Sequence, residues 1–120
     1  MVTGVNHVQI TIPRDGLDVA RQFYLGFLGL KEIRRPDVFT SQGLWLNAGS
    51  FEVHLGLEEG VNRTATRAHI AYEVADIAAA RAKVEFAGMW IKDQPPFDGY
   101  VRFHTRDPFG NTLELIQKVS

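Results

Sequence analysis

The sequence of 120 residues contains no cysteine, so the protein can form neither disulfide bonds nor thiolate metal sites. Any bound metal must therefore have nitrogen and oxygen ligands. There is no excess of positive charge, with 13 Lys and Arg against 14 Asp and Glu, which argues against nucleic-acid binding. No apolar run is long enough to span a bilayer, and no signal-peptide pattern is present. These absences predict a cytoplasmic protein that does not enter a membrane.

Hydrophobic residues, by contrast, make up 45% of the chain, which is ample for a packed interior. In the first half, residues 2–12 alternate between apolar and polar side chains and indicate a strand with one buried face. A helical period of apolar residues follows and ends at Gly29, a residue suited to a helix C-terminus. Three shorter strand patterns complete this half, at residues 30–34, 44–47 and 51–57.

The same order of elements recurs in the second half. A strand pattern at residues 69–74 is followed by an alanine-rich helix that Asp76 can cap and Gly88 can end. The remaining strand patterns lie at residues 89–92, 100–105 and 112–118, the last two joined by a turn at residues 107–111.

The repeated order predicts the fold class. We expect an α+β fold in which two βαβββ modules form a curled mixed sheet around a cleft. The modules span roughly residues 1–58 and 67–120, and the polar segment at residues 60–66 is the predicted linker. Together they make one domain, since the chain is short for two independent ones.

Four of the predicted strands each carry one potential metal ligand on the face opposite their apolar residues. His7 and His54 are 47 positions apart (54 − 7), and His69 and Glu114 are 45 apart (114 − 69). Imidazole and carboxylate suit Zn, Ni, Mn, Co or Fe as divalent ions. A single strand histidine is ordinarily a surface or hydrogen-bonded residue, so the prediction of one shared metal site rests on all four together.

Further residues suggest contacts with a small-molecule substrate. Arg102 and His104 share the polar face of one predicted strand, where they either bind substrate or are merely exposed. Arg35 is another candidate for an anionic substrate, as are Arg34 and Lys92. Trp45 either lines an apolar pocket or belongs to the core.

Three segments carry a family resemblance that covers nearly the whole chain. They are Gly4–Val8, Ala68–Val74 and Asp107–Leu115, supported by Phe23-Tyr24 and Leu28–Leu30 around the end of the first helix. With them the chain resembles the vicinal oxygen chelate superfamily, which includes glyoxalase I, fosfomycin-resistance thiol transferases, bleomycin-resistance proteins, methylmalonyl-CoA epimerases and extradiol dioxygenases.

The resemblance implies which residues bind the metal. Family ligands come from the first and last strands of each module, which are the positions of His7, His54, His69 and Glu114 here. His54 departs from glyoxalase I, where a carboxylate is usual at that position. The resemblance also implies a homodimer, in which modules of two subunits can share a site.

These considerations predict a divalent-metal-dependent enzyme that chelates two neighbouring oxygens of a small substrate. An isomerase or lyase is favoured, with Glu114 as the general base, and a thiol transferase is a further possibility. One alternative is a small-molecule or antibiotic binding protein without catalysis. The other is an Fe-dependent dioxygenase of the extradiol type, because two histidines and a carboxylate also suit that chemistry.

Overall fold

The computed structural model describes all residues from Met1 to Ser120 and divides into two compact units, Met1–Val61 and Asn62–Ser120. Each unit contains one open four-stranded mixed sheet with a helix after its first strand. The predicted α+β fold with βαβββ modules is therefore confirmed. None of the helices has the length and apolar character needed to cross a bilayer.

The first unit has its strands in the order β1-β4-β3-β2, with β1 and β4 parallel and the other pairs antiparallel. A short α-helix continues directly into a π-helical segment between β1 and β2. The elements are β1 His7–Ile12, α1 Leu17–Arg21, the π-helical segment Gln22–Phe27, β2 Lys31–Ile33, β3 Gly43–Asn47 and β4 Glu52–Leu57.

The π-helical segment was not expected from the apolar period. The Leu28 amide donates to the Phe23 carbonyl at 2.9 Å, a five-residue spacing that places an extra residue in the turn. Phe23 and Tyr24 are both buried, and their rings meet edge to face with centroids 5.0 Å apart. Gly29 ends the helix as predicted, with a φ of 83° that glycine adopts without steric cost.

The second unit repeats this topology with the order β5-β8-β7-β6, in which β5 and β8 are parallel. Within this unit, a single turn of 3₁₀-helix at Arg63–Ala65 precedes the first strand. The elements are β5 His69–Glu73, α2 Ile77–Phe86, β6 Lys92–Asp93, β7 Tyr100–Arg106 and β8 Thr112–Lys118.

Helix α2 begins as the sequence predicts, because the Asp76 side chain accepts a hydrogen bond from the Ala79 amide at 3.0 Å. The strand expected at residues 89–92 instead forms at Lys92–Asp93. The chain is still bound to the helix before that point, since the Met89 amide donates to the Val84 carbonyl at 3.2 Å.

The turn between β7 and β8 is built around Asp107. One oxygen of its carboxylate accepts from the amides of Phe109 and Asn111, each at 2.9 Å, and the other accepts from the Asn111 side-chain amide at 2.8 Å. These bonds satisfy the loop backbone and hold the two strands in one alignment. The alignment pairs His104 with Glu114 across the hairpin.

Candidate metal centre

Three potential metal ligands converge in the second unit. The Nε2 atoms of His69 and His104 lie 3.3 Å and 3.0 Å from Oε1 of Glu114, and one ligand atom from each residue falls within 4.8 Å of the others. Two imidazoles and a carboxylate are a donor set that first-row divalent metals accept. The second unit thus has the chemistry of a metal centre.

The protonation of His69 sharpens this reading. Its Nδ1 lies 2.9 Å from the Arg67 carbonyl oxygen, which can only accept, so Nδ1 carries the proton. In the neutral ring, Nε2 then presents its lone pair towards the carboxylate of Glu114. Two acceptors 3.3 Å apart repel each other unless a second proton or a cation lies between them.

Glu114 is an anion held in a nearly closed environment, with 4% of its surface exposed. Burial has the largest single effect and raises its pKa, but hydrogen bonds from His104 and Arg102, with the charges of both groups, outweigh it. The net result is a pKa below the usual value for glutamate. The side chain is therefore ionised at neutral pH, as a metal ligand must be.

Arg102 is the second cation next to this carboxylate. Its NH1 donates to Oε1 of Glu114 at 3.0 Å, and its Nε donates to the Pro95 carbonyl at 3.0 Å. The guanidinium also lies over the ring of Phe97, 5.0 Å from the centroid. Its position is thus determined by three partners, and its head group faces the cluster.

Strand register explains why these side chains meet. His104 lies directly opposite Glu114 on the antiparallel neighbour β7, whereas Ala71 lies opposite Glu114 on the parallel neighbour β5. His69 is two residues before Ala71 and therefore shares its face of the sheet. His69 therefore lies on the face that carries Glu114, and its Nε2 approaches Oε1 of Glu114 to 3.3 Å.

The sequence placed His104 outside the ligand spacing and predicted for it a substrate contact or an exposed position. The structure brings it to the carboxylate of Glu114, with 17% of its side chain exposed, and its contact with a substrate stays a prediction. The sequence contains a signal for the position of His104. Residues the same number of positions before and after Phe109, such as His104 and Glu114, pair across the hairpin. The position of the turn at residues 107–111 therefore implies the pairing of His104 with Glu114.

The other two predicted ligands lie in the first unit, on neighbouring strands. The imidazole of His54 is sandwiched between His7 and Trp45, with ring centroids at 4.1 Å and 3.9 Å and interplanar angles of 15° and 7°. Its Nε2 lies 2.9 Å from Oε1 of Glu52. The predicted substrate contact Trp45 thus packs on a predicted metal ligand.

This stack constrains how His7 and His54 bind a cation. Imidazole coordinates a metal in the plane of its ring, at roughly 2.0–2.1 Å. Two nearly parallel rings with centroids 4.1 Å apart direct their lone pairs along separate planes, so one ring must turn before both reach one ion. Their joint ligation stays a prediction.

Comparison with known proteins now identifies the class. The sequence model of the Glyoxalase/Bleomycin resistance protein/Dioxygenase superfamily matches residues 4–115. The chain belongs to this superfamily, which confirms the predicted resemblance.

Solved structures extend the comparison. A glyoxalase family protein from Bacillus anthracis is 31% identical with a TM-score of 0.87, and the alignment covers 98% of this chain and 97% of that one. The fosfomycin resistance protein FosX from Listeria monocytogenes is 16% identical with a TM-score of 0.77, over 98% and 94% of the two chains. At that identity FosX shows the shared fold alone. No curated protein sequence matches the chain significantly.

Proposed function

We propose that the protein is a divalent-metal-dependent enzyme that binds two neighbouring oxygens of a small substrate, as an isomerase or lyase. Membership of the superfamily supports this class of activity. The single observation that carries the proposal is the convergence of His69, His104 and Glu114 on one point of the second unit.

The donor set fits such a cation. His69 and Glu114 would hold it, because Nε2 of the neutral His69 ring lies 3.3 Å from Oε1 of Glu114 and a positive ion between these two acceptors removes their repulsion. His104 would supply a third nitrogen, Nε2, which lies 3.0 Å from Oε1 of Glu114. His7 and His54 remain predicted further ligands, and zinc, nickel, manganese, cobalt and iron all suit this chemistry.

A bound divalent ion would polarise the substrate oxygens and stabilise the negative charge that develops on them. Glu114 is the proposed general base, which accepts a proton from a substrate carbon and returns it to a neighbouring atom. Arg102 stabilises the ionised carboxylate beforehand, and its guanidinium can then bind a substrate oxygen. Proton return leaves the substrate isomerised and the protein unchanged.

A related complex indicates which substrates to test first. A FosX variant from Listeria monocytogenes, complexed with Mn(II) and 1S,2S-dihydroxypropylphosphonic acid, has a TM-score of 0.78 at 16% identity. Its ligand carries two adjacent hydroxyl groups. The shared fold supports a search among small diols, hydroxyketones and other compounds with neighbouring oxygens.

Elemental analysis of protein purified without chelator tests the proposal, followed by calorimetric titration of the metal that is found. We expect one metal ion per site and loss of tight binding in His69→Ala. Glu73→Ala is the matched control, since Glu73 lies on the same face of β5 and is exposed. If the wild type holds no metal and binds none of the first-row ions tightly, the proposal fails.

The same measurements separate the alternatives. Bound iron, with ring cleavage of a catechol by the restored protein, favours a dioxygenase. Small-molecule binding that survives His69→Ala without any turnover favours a sequestering protein. The proposed homodimer is tested by sedimentation, and metal titration of His7→Ala tests whether His7 is a ligand.

A further inference from the structure

One arginine connects the candidate metal centre to a surface loop. Arg102 lies on β7, where its NH1 donates to Oε1 of Glu114 at 3.0 Å and its Nε donates to the Pro95 carbonyl at 3.0 Å. Pro95 belongs to the loop of residues 94–99, which joins β6 to β7 and is called the β6–β7 loop below. The Arg102 side chain thus lies between a buried carboxylate and an exposed segment of the chain.

The first part of the β6–β7 loop has few other attachments. Pro95 and Pro96 are both exposed, and neither has an amide proton to donate. The bond from Arg102 is the one hydrogen bond that either proline makes. Because this part of the loop buries little surface and is bound at a single point, its position depends on Arg102.

The second part of the loop presents an aromatic ring to the same guanidinium. The Arg102 guanidinium lies over Phe97, 5.0 Å from the ring centroid, and Phe97 is 47% exposed. A tight turn at Asp98 and Gly99, with φ of 46° and 81°, brings Phe97 opposite Tyr100. The amide of each of these two residues donates to the carbonyl of the other, at 3.2 Å and 2.7 Å. These two amides therefore report on whether the loop is held in place.

The carboxylate end of this connection is crowded. Oε1 of Glu114 lies within 3.3 Å of three side-chain nitrogens, which belong to His69, Arg102 and His104. A carboxylate oxygen has two lone pairs, so a metal ion that binds Oε1 must displace a partner. Imidazole can be neutral and bind the metal itself, whereas the guanidinium is always charged and repels it. Arg102 is therefore the partner that a metal ion displaces.

We propose that Arg102 is a positioning residue, which holds the β6–β7 loop in place while Glu114 is free of metal and releases the loop when a divalent ion binds the carboxylate. The inference rests on the proposed function, since release needs a cation at Glu114. Once the carboxylate no longer fixes the guanidinium, the bond to Pro95 and the contact with Phe97 lose their support. Metal binding thus loosens a loop beside the centre and frees a guanidinium for a substrate oxygen.

Amide hydrogen exchange, followed by NMR on the full-length protein, tests this coupling. Zinc is the probe, because Zn²⁺ is diamagnetic and leaves the amide signals sharp. We expect the Phe97 and Tyr100 amides of the wild type to exchange at least about tenfold faster with zinc than without it. The Phe109 and Asn111 amides are the internal control, since they are bound to Asp107 in the turn between β7 and β8 and should exchange at the same rate in both states.

Metal-free variants test the positioning role by itself. In Arg102→Met, which loses every donor, the Phe97 and Tyr100 amides should exchange about tenfold faster than in the wild type, and zinc should add nothing. Arg102→Lys should also loosen the loop, because it keeps the charge but lacks the planar fork that reaches two partners. Arg106→Met is the matched control, since Arg106 lies on the same face of β7 but its guanidinium stacks on Trp90, 4.0 Å from the ring centroid.

Zinc titration by calorimetry separates a released cation from a residue that merely supports the centre. A guanidinium that competes with the metal lowers its affinity, so Arg102→Met should bind zinc at least about threefold more tightly than the wild type. A residue that only orients a ligand has the opposite effect, since its loss typically costs about 10–100-fold in metal affinity. Arg106→Met should bind zinc like the wild type.

Circular dichroism establishes that each variant is folded. The positioning role is overturned if the Phe97 amide of metal-free Arg102→Met and Arg102→Lys exchanges as in the wild type. Release is overturned if zinc binds the wild type without accelerating that exchange, or if Arg102→Met binds zinc more weakly. If no first-row ion binds the wild type but the loop is loosened in metal-free Arg102→Met, the proposed function fails and the positioning role stands.

Discussion

The two units have the same strand topology but carry different side chains at equivalent positions of their sheets. In the first unit, Trp45 lies opposite His54 across the antiparallel strand pair. In the second, His104 lies opposite Glu114. One scaffold therefore presents an aromatic stack in one unit and an imidazole–carboxylate pair in the other.

The difference shows that the βαβββ topology does not determine which functional groups the sheet carries. A carboxylate supplies negative charge and draws Arg102, His69 and His104 around it. An imidazole at the same position is sandwiched between flat rings instead, and its nitrogen turns to Glu52. The candidate metal centre and the stacked rings thus differ in the residue on the last strand, Glu114 or His54, and in the residue opposite it.

The largest expected effect comes from removing that carboxylate. Glu114→Gln should lower metal affinity by more than about 100-fold, since loss of an outer-shell partner alone typically costs 10–100-fold. His54→Gln is the equivalent change in the first unit, and we expect a loss below about tenfold because the His54 ring is stacked rather than free. Calorimetric titration measures both. Equal losses would favour the four-ligand site predicted from the sequence over the cluster in the second unit.

The residues opposite Glu114 and His54 on the neighbouring strands give the next comparison. His104→Ala should lower metal affinity by roughly 10–100-fold, because it removes a nitrogen that lies 3.0 Å from Glu114. Trp45→Ala changes the equivalent position in the first unit and should leave metal affinity unchanged. If His104→Ala binds metal like the wild type, His104 has no part in the centre.

A smaller effect is expected on the apolar side of the second sheet. The Tyr72 hydroxyl is buried without a hydrogen-bond partner, so Tyr72→Phe should raise the free energy of unfolding by about 1 kcal/mol. Tyr100→Phe is the control, because Tyr100 is half-buried and its hydroxyl is not among the buried groups without a partner. Urea denaturation at neutral pH measures both changes, and a Tyr72→Phe protein less stable than wild type would show that the hydroxyl has a partner.

From Tyr72 we also expect a loss of folding stability at alkaline pH. Burial, aided by the negative charge of Asp107, raises its pKa in the folded state. A raised pKa contributes stability below the unfolded value of about 10, and this contribution is lost as pH rises above it. Wild-type stability should therefore fall above pH ~10 more steeply than that of Tyr72→Phe. Parallel pH profiles would contradict this.

The smallest effects concern two arginines that connect a helix to an edge strand in the same way in each unit. Arg21 donates to Glu32 at 3.1 Å, and Arg81 donates to Asp93. Both pairs are largely solvated, so Arg21→Met and Arg81→Met should each shift the denaturation midpoint only slightly. An effect as large as that of a core truncation in either variant would contradict this.

The second pair also carries a pH dependence. The hydrogen bond from Arg81 lowers the pKa of Asp93. The contribution of this pair to the free energy of unfolding is therefore present above the unfolded pKa of about 3.9 and is lost as pH falls. The small difference between wild type and Arg81→Met should therefore disappear in acid. A difference that grows on acidification would exclude the pair as its cause.

Several features of the fold follow from local patterns and were predicted correctly. The cap at Asp76 and the helix end at Gly29 depend on a few neighbouring residues, and both form as expected. The π-helical segment was missed because the apolar period alone does not distinguish a five-residue hydrogen bond from a four-residue one. The strand expected at residues 89–92 was misplaced because hydrogen bonds continue past the helix end.

For the candidate site, too, the sequence predicted some features and not others. Alternation along each strand identified the face that carries His69 and Glu114, and the residue types indicated metal chemistry. Alternation did not reveal that His104 lies opposite Glu114, nor that His54 is stacked between His7 and Trp45. Both contacts depend on strand register, that is, on which residue of the neighbouring strand lies opposite a given residue.

The sequence by itself determined the α+β class, the repeated order of elements, the buried and polar faces of the strands, and the restriction to nitrogen and oxygen ligands. Only the tertiary structure decided which side chains become neighbours. The reason is that strand faces follow from a two-residue period within one segment, whereas register follows from hydrogen bonds between segments and from turns such as the one around Asp107. A carboxylate becomes part of a metal centre only when that register brings imidazoles to it.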